Sequence, residues 1–304
     1  MKLDIRNLAA LMLASWMASW MAFGGAVHAA GKAPAAAPDA VVEGVQMPAW
    51  LERDGRSQPL TPGLELRDGD RVRTGANSRV LLKMGEGSLV KLGENGILKF
   101  DNLGQRANNL FTATLDVAAG AFRFTTDVLA KLRRREVNVK IATITAGIRG
   151  TDLWGKAAPD KDIVCLIEGR ISVARGNDAP FAMNDPLSFY IAPRNAPPLP
   201  VAPVDSKQLA QWALETEISS GAGAARRGGK WRVTLAVTDT EEDAFRVYDA
   251  VRAGGYPAEL HPVGTPEKRR YQVRIGQLPG KSEAQALADA LKGRFGVTAP
   301  AVSG

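Results

Sequence analysis

Residues that could act as nucleophiles, proton shuttles or metal ligands are scarce in this sequence. Its 304 residues include two histidines and one cysteine. His28 falls inside an apolar amino-terminal segment, which leaves His261 and Cys165 for the rest of the chain. A structural zinc site built from several Cys and His is therefore excluded. A disulfide within one chain is excluded for want of a second thiol. Any Ser-His-Asp or Cys-His mechanism would depend on His261 alone. That residue stands in Leu260-His261-Pro262, read as a loop after a short strand, and no Ser or Asp pattern points to it. Neither a metal site nor the paired carboxylates of a wall hydrolase is readable. The expectation is a non-enzymatic binding or sensing protein with no catalytic residue, metal or cofactor.

The chemistry on offer is cationic. Lys131, Arg133, Arg134 and Arg135 put four cations in five residues, just before the strand-like Val137-Asn138-Val139-Lys140-Ile141. This is either a solvated, charge-protected edge or a docking patch for an anionic partner. A second group, Arg232, Thr234, Arg270, Gln272 and Arg274, is spread over two alternating segments. Around these groups the composition, 45% hydrophobic and 23% charged, is that of a globular protein, and the length predicts one to three domains.

The amino terminus predicts export. Lys2 and Arg6 precede the apolar run Leu8 to Val27, and Val27-His28-Ala29 offers small residues for cleavage after Ala29. This is the order of a secretory signal over residues 1–29, which predicts a periplasmic protein. The run is long enough that an uncleaved anchor is the other reading, and a membrane is expected only in that case. Residues 30–40, mostly Ala and Pro, read as a disordered tether. Removing 1–29 takes away two cations and Asp4, so the formal charge falls from +7 to +6. Nucleic acid is not expected of an exported chain without a basic helix or stacking aromatics. The lone Cys165 sits in the apolar run Ile163 to Ile167 and is expected to pack as a small hydrophobe.

Residues 41–176 read as a strand-rich domain. Turn signals at Asp54-Gly55, Asp68-Gly69 and Glu94-Asn95-Gly96 separate short runs at Leu64–Leu66, Val80–Met84, Leu89–Leu92 and Ile97–Phe100. Spacing of eight to twelve residues between turns predicts an all-β sandwich, barrel or stacked-strand fold. Gly69, Gly75, Gly147 and Gly150 would allow positive φ or close backbone approach. Asp70 and Thr74 can hydrogen-bond turn amides, and Arg149 could fork onto a carboxylate, with Asp70 one candidate.

These residues resemble the FecR family. Gly69-Asp70-Arg71-Val72-Arg73-Thr74-Gly75 is similar to its "GD-x-h-x-T-G" turn. Ser78 to Leu82 and Gly87 to Leu92 match its next two strands, and Leu115 to Phe124, with Gly120 inside, looks like its "L-x-x-G-x-h" strand pair. Ile144-Thr145-Ala146-Gly147-Ile148-Arg149-Gly150-Thr151 resembles the "T-P-x-A-x-x-G-V-R-G-T" signature, and Ile163 to Val173 the closing "V-x-E-G-x-V-x-V". The resemblance implies a β domain with a role in recognition or scaffolding, in which Gly69, Asp70, Thr74, Arg149, Gly150 and Thr151 are structural. The family's best-known members relay a signal to a cytoplasmic sigma-factor regulator. Only about seven residues precede the apolar run here, so that relay is not expected.

Residues 177–229 read as a Pro/Gly-rich connection. Phe181 to Ile191 is either a last strand or a crossing segment, and the Pro-rich stretch from Ala192 to Pro203 reads as an extended spacer. Ser206 to Ile218 could form a short helix, with Trp212 a candidate contact to either domain. Ser219 to Gly229 reads as flexible linker.

Residues 230–304 repeat themselves at an offset of 40. Arg232–Ala236 aligns with Gln272–Gly276, and Asp243–Val251 with Glu283–Leu291. Each half reads as strand, helix, strand, with Thr240 and Ser282 as N-caps and closing strands at Ala258–Leu260 and Val297–Ala299. The order predicts an α+β, ferredoxin-like βαββαβ domain with a four-stranded antiparallel sheet and two helices on one face. This segment resembles the SPOR (sporulation-related repeat) domain through Gly255-Tyr256-Pro257-Ala258 and Tyr271-Gln272-Val273-Arg274-Ile275-Gly276-Gln277-Leu278. The resemblance implies binding to septal peptidoglycan, with glycan strands lying on the uncovered sheet face. Alternation puts Arg232, Thr234, Arg270, Gln272 and Arg274 on that face. The family's usual Gln and Gly-Ser positions in the first strand hold Thr234 and Ala236-Val237 here. The face is therefore basic, and a different anionic ligand or a bare solvated face are the competing readings. The expected partners are peptidoglycan and an unidentified envelope protein. The alternative is a periplasmic sensor acting through protein contacts alone.

Overall fold

The computed structural model describes residues 38–106, 109–126, 134–148 and 150–304. The export signal 1–29, most of the tether, Lys131, Arg133 and Arg149 lie outside the described residues. The chain holds two domains, the first largely β and the second a sheet with helices.

The first domain follows from alternation. In β6 (Arg79–Met84), β7 (Leu89–Leu92) and the first half of β8 (Ile97–Gln105), every second side chain is buried, including Val80, Leu82, Val90, Leu92, Leu98 and Phe100. Each such side chain removed from water contributes about 1.5–3 kcal/mol. The strands form two sheets that share β9 (Phe111–Thr125). In the first sheet, β1 (Ala40–Gln46) pairs with β6, β6 with β7, and β7 with residues 122–125 of β9. The order continues through β12 (Asp152–Ala157), β13 (Lys161–Glu168) and β16 (Ser188–Pro193) to β17 (Ala202–Pro203). On its outer edge β1 also takes β4 (Glu65–Leu66). In the second sheet, β3 (Arg56–Pro59), β2 (Ala49–Arg53), β5 (Arg71–Thr74) and β8 lead to residues 111–119 of β9. Then follow β10 (Arg135–Ile141), β11 (Ile144–Ile148), β14 (Ile171–Arg175) and β15 (Phe181–Met183).

The segment expected as a strand pair at Leu115–Phe124 is thus one strand that passes from one sheet into the other. Gly120 makes the passage: its φ is +86°, and a Cβ there would lie 2.6 Å from Gly96 Cα.

Several described motif residues bond within the fold. Asp70, almost fully buried, accepts from Arg53 Nε at 2.7 Å and Nη2 at 2.6 Å, and from the Arg67 amide at 2.7 Å. Arg53 is the cation at Asp70 among the described residues, and Arg149 lies outside them. Thr74 Oγ1 donates to Gly93 O at 2.6 Å and accepts from Gly96 N at 2.7 Å, which closes the turn after β7. Gly69 and Gly150 have positive φ. Thr151 Oγ1 donates to Arg170 O at 3.1 Å, and a Cβ on Gly169 would strike Gly150 O, so the two end motifs pack backbone to backbone. Gly147 departs from expectation: it has neither a positive φ nor a close backbone neighbour.

Residues 181–226 are built onto this domain. Helix α1 (Ser206–Thr216), capped by Asp205, lays Trp212 flat on Trp154 of β12, and Glu215 pairs with Lys156 at 2.8 Å. Glu217, just past the helix, pairs with Lys91. The stretch read as flexible linker is held at both ends. Ser219 N donates to Gln46 Oε1 at 3.1 Å, and β18 (Ala225–Arg226) pairs with β1.

The second domain comprises β19 (Trp231–Thr238), α2 (Glu241–Ala253), β20 (Glu259–Val263), β21 (Arg270–Leu278), α3 (Lys281–Leu291) and β22 (Ala301–Ser303). Its sheet runs β20–β21–β19–β22, all antiparallel. Thr240 caps α2 as expected, but α3 is capped at Gly280, the position at the 40-residue offset, and Ser282 lies inside the helix. The last strand lies beyond the expected Val297–Ala299 because the chain first turns through Phe295 and Gly296, both of positive φ, with Gly293 N bonded to Val297 O.

Candidate functional site

The two domains meet through the helical side of the second. Trp50 Nε1 donates to Ala253 O at 3.4 Å, and Ala49 N donates to Gly255 O at 3.2 Å. Gly255 has φ +85°, and a Cβ there would lie 2.6 Å from the Trp50 ring. Beside this contact, the buried Glu283 of α3 accepts from the amides of Gly221, Gly223 and Ala224 at 2.5, 2.8 and 3.0 Å. Three oriented N–H dipoles satisfy a carboxylate that would otherwise be costly to bury.

The opposite face of the sheet is left uncovered by the described residues. Register places Ala301, Thr234, Arg274 and Glu259 in one row across the four strands. The next row holds Val237, Gln272 and His261, and Arg270 lies opposite Val263 at one end. Arg232 stands opposite Ser303. Val233, Leu235, Val273 and Ile275 turn the other way and are buried under the helices. All five residues read from the sequence, Arg232, Thr234, Arg270, Gln272 and Arg274, are therefore on the open-face register.

Their electrostatics differ from the basic face expected. Arg270 Nε is tied to Asp239 at 2.9 Å at the strand end. Arg274 Nε lies 3.8 Å from Glu259 Oε2, and His261 Nε2 lies 3.1 Å from the same oxygen. Glu259 and His261 are face residues that the sequence reading missed. The alternation Glu259, His261, Val263 carries the signal, but the apolar pattern ends the expected strand at Leu260, before Pro262. Pro262 is accommodated opposite Tyr271, so the strand runs to Val263 and His261 is a strand residue, not a loop residue.

The result is a strip of alternating donors and acceptors at strand spacing of about 4.8 Å. Guanidinium, amide, hydroxyl, imidazole and carboxylate can all hydrogen-bond sugar hydroxyls or acetamido groups. The register positions named carry no Phe, Tyr or Trp. Among the described residues no group of three His, Cys, Asp or Glu is placed to hold a metal. Cys165 is buried in the strand where it was expected, and burial pushes its thiol up to about 12, with a smaller contribution from the Asp152 charge. Of the cationic cluster, Arg134 and Arg135 are described and flank the start of β10.

The FecR protein family matches residues 70–172 and the SPOR domain residues 228–299, so the chain carries a FecR domain followed by a SPOR domain. FecR and SPOR domains are non-catalytic binding or signalling domains typical of envelope proteins, and SPOR domains bind peptidoglycan. No curated protein matches the chain significantly. Two crystal structures of a candidate anti-sigma factor from Parabacteroides distasonis, at 1.65 and 2.50 Å resolution, are similar at 12% identity. In each case 61% of this chain and 75% of that chain are covered, with a TM-score of 0.38. Among the described residues no helix is long and apolar enough to cross a membrane.

Proposed function

We propose that this is an exported, periplasmic, non-enzymatic scaffold. Its SPOR domain holds glycan strands of peptidoglycan, while its FecR domain engages an envelope partner or signal. The observation that carries the reading is the division of surfaces in the SPOR domain. Docking to the FecR domain uses Gly255, Ala253 and Glu283, and leaves the sheet face of Arg232, Thr234, Gln272, Arg274, Glu259 and His261 uncovered. The order β22–β19–β21–β20, with one helix in each crossover, supports reading the domain as ferredoxin-like. The proposed domains are 41–176 together with the packed segment 181–226, and 230–304, with 1–29 removed on export.

Glycan would be bound by hydrogen bonding along the face rather than by stacking. Arg232, which has no carboxylate partner among the described residues, and Arg274 are the residues assigned most of the contact. Sedimentation with purified sacculi tests this: the full chain should pellet, and Arg232→Ala/Arg274→Ala should remain largely in the supernatant. Release of soluble muropeptides would contradict the non-enzymatic assignment.

A second reading, protein–protein signalling without glycan, is favoured by one observation. Glu259 partly neutralises Arg274, giving a mixed-charge face of the kind that orients and selects a protein partner by charge complementarity. Wild-type protein that stays in the supernatant at low salt would select it.

A further inference from the structure

The outer face of the second FecR sheet sinks into an open cleft of about 1150 Å³ across β10, β11, β14 and β15. One row of register partners crosses its floor: Asn138 opposite Gly147, Gly147 opposite Ser172, Ser172 opposite Ala182. None of the four has a long side chain. Among the described residues a Cβ on Gly147 would meet only Asn138 Oδ1, at 3.6 Å, an ordinary contact that leaves room over the floor.

The rim is cationic. Arg134 and Arg135 stand at the start of β10 and Arg170 just before β14. Among the described residues none of the three is in an ion pair, and Arg135 Nη1 is buried with no hydrogen-bond acceptor. A guanidinium stays charged throughout the accessible pH range, so a rim of three arginines without ion-pair partners among the described residues favours a ligand carboxylate. Glu136 is the one acidic side chain among the described lining residues.

The lining also selects among anionic ligands. It contains no Phe, Tyr or Trp on which a sugar ring or base could stack. Its volume exceeds the roughly 300–1,000 Å³ of pockets for small molecules. A floor of short side chains over four strands spaced about 4.8 Å apart fits an extended backbone. β15 has a strand partner on one side only among the described residues, so an edge is available beside the cleft.

We propose that this cleft docks an extended acidic segment of a partner protein, its carboxylates set on Arg134, Arg135 and Arg170. This rests on the reading that the FecR domain engages an envelope partner, and it gives that partner a chemistry.

The test is fluorescence anisotropy of the full chain with a fluorescein-labelled peptide of about eight residues alternating Glu and Ser. Binding should weaken as salt is added. It should fall roughly tenfold or more in Arg135→Ala/Arg170→Ala. A similar loss is expected in Gly147→Leu, which keeps every charge and fills the floor, with thermal melting showing that each variant folds. No binding by wild type, unchanged binding in either variant, or equally tight binding of a hyaluronan oligosaccharide of similar length would overturn the assignment. Sacculus pelleting of the same variants reads the other domain. Normal pelleting beside lost peptide binding supports the cleft, and parallel loss of both overturns it. A wild type that binds the peptide as described but does not pellet removes the glycan reading and leaves this one standing.

Discussion

Trp154 of β12 and Trp212 of α1 stack with ring centroids 4.5 Å apart and planes 8° apart. The pair lies in a small cluster with Ala121, Ile163 and Cys165, on the side of the first sheet that faces away from the main core. A strand face that would otherwise expose a tryptophan is closed by the segment leading to the SPOR domain. The stack therefore makes the connection part of the FecR domain rather than a tether.

Trp212→Ala should destabilise the folded chain by about 3–5 kcal/mol, the usual cost of truncating a buried aromatic. Leu214, on the same helix but 70% exposed, should change stability by less than about 0.5 kcal/mol when truncated to Ala. Urea unfolding of the two variants makes the comparison. Equal effects would mean that α1 does not close this face.

Glu283→Ala would leave the buried amides of Gly223 and Ala224 without their acceptor. The expected loss is about 2–4 kcal/mol, from unsatisfied buried donors. It should also free residues 219–229, so trypsin should cut after Arg226 or Arg227 much faster than in wild type. Unchanged cleavage would show that Glu283 does not hold the connection.

Cys165 gives a pH dependence with a definite sign. Its thiol is held neutral in the fold, up to about 12, while in the unfolded chain it ionises near the ordinary thiol value. Above that value the unfolded state binds fewer protons than the native state, so stability falls as pH rises. Between about pH 8.5 and 12, wild type should lose stability faster than Cys165→Val by roughly 1.4 kcal/mol per pH unit. Denaturant midpoints across that range check it. The native thiol should also resist Ellman's reagent until the protein unfolds.

Much of this architecture is legible in the residues, because alternation over β6 to β8 and the 40-residue repeat are local patterns with one physical reading. Failures occur where a local signal is overruled by a distant partner. Leu115 to Phe124, with Gly120 inside, reads as a strand pair, but Gly96 lies against Gly120 and one strand continues into the other sheet. Pro262 reads as a strand end, yet pairing with Tyr271 extends β20 and brings His261 onto the face. Ser219–Gly229 has the composition of a flexible linker, and nothing local reveals that Glu283 will bind its amides. The arginines of the sheet face were visible by alternation. The acid that neutralises one of them, Glu259, was not, because it arrives on a neighbouring strand.

The most direct test of the account is pelleting of the full chain with intact sacculi and with sacculi whose stem peptides have been removed by an amidase. Retention should be stronger on the stripped glycan, and Arg232→Ala/Arg274→Ala should lose it while melting like wild type. Equal recovery of wild type and variant in the pellet, or no wild-type pellet on either substrate, would contradict the assignment of the SPOR sheet face as the glycan site.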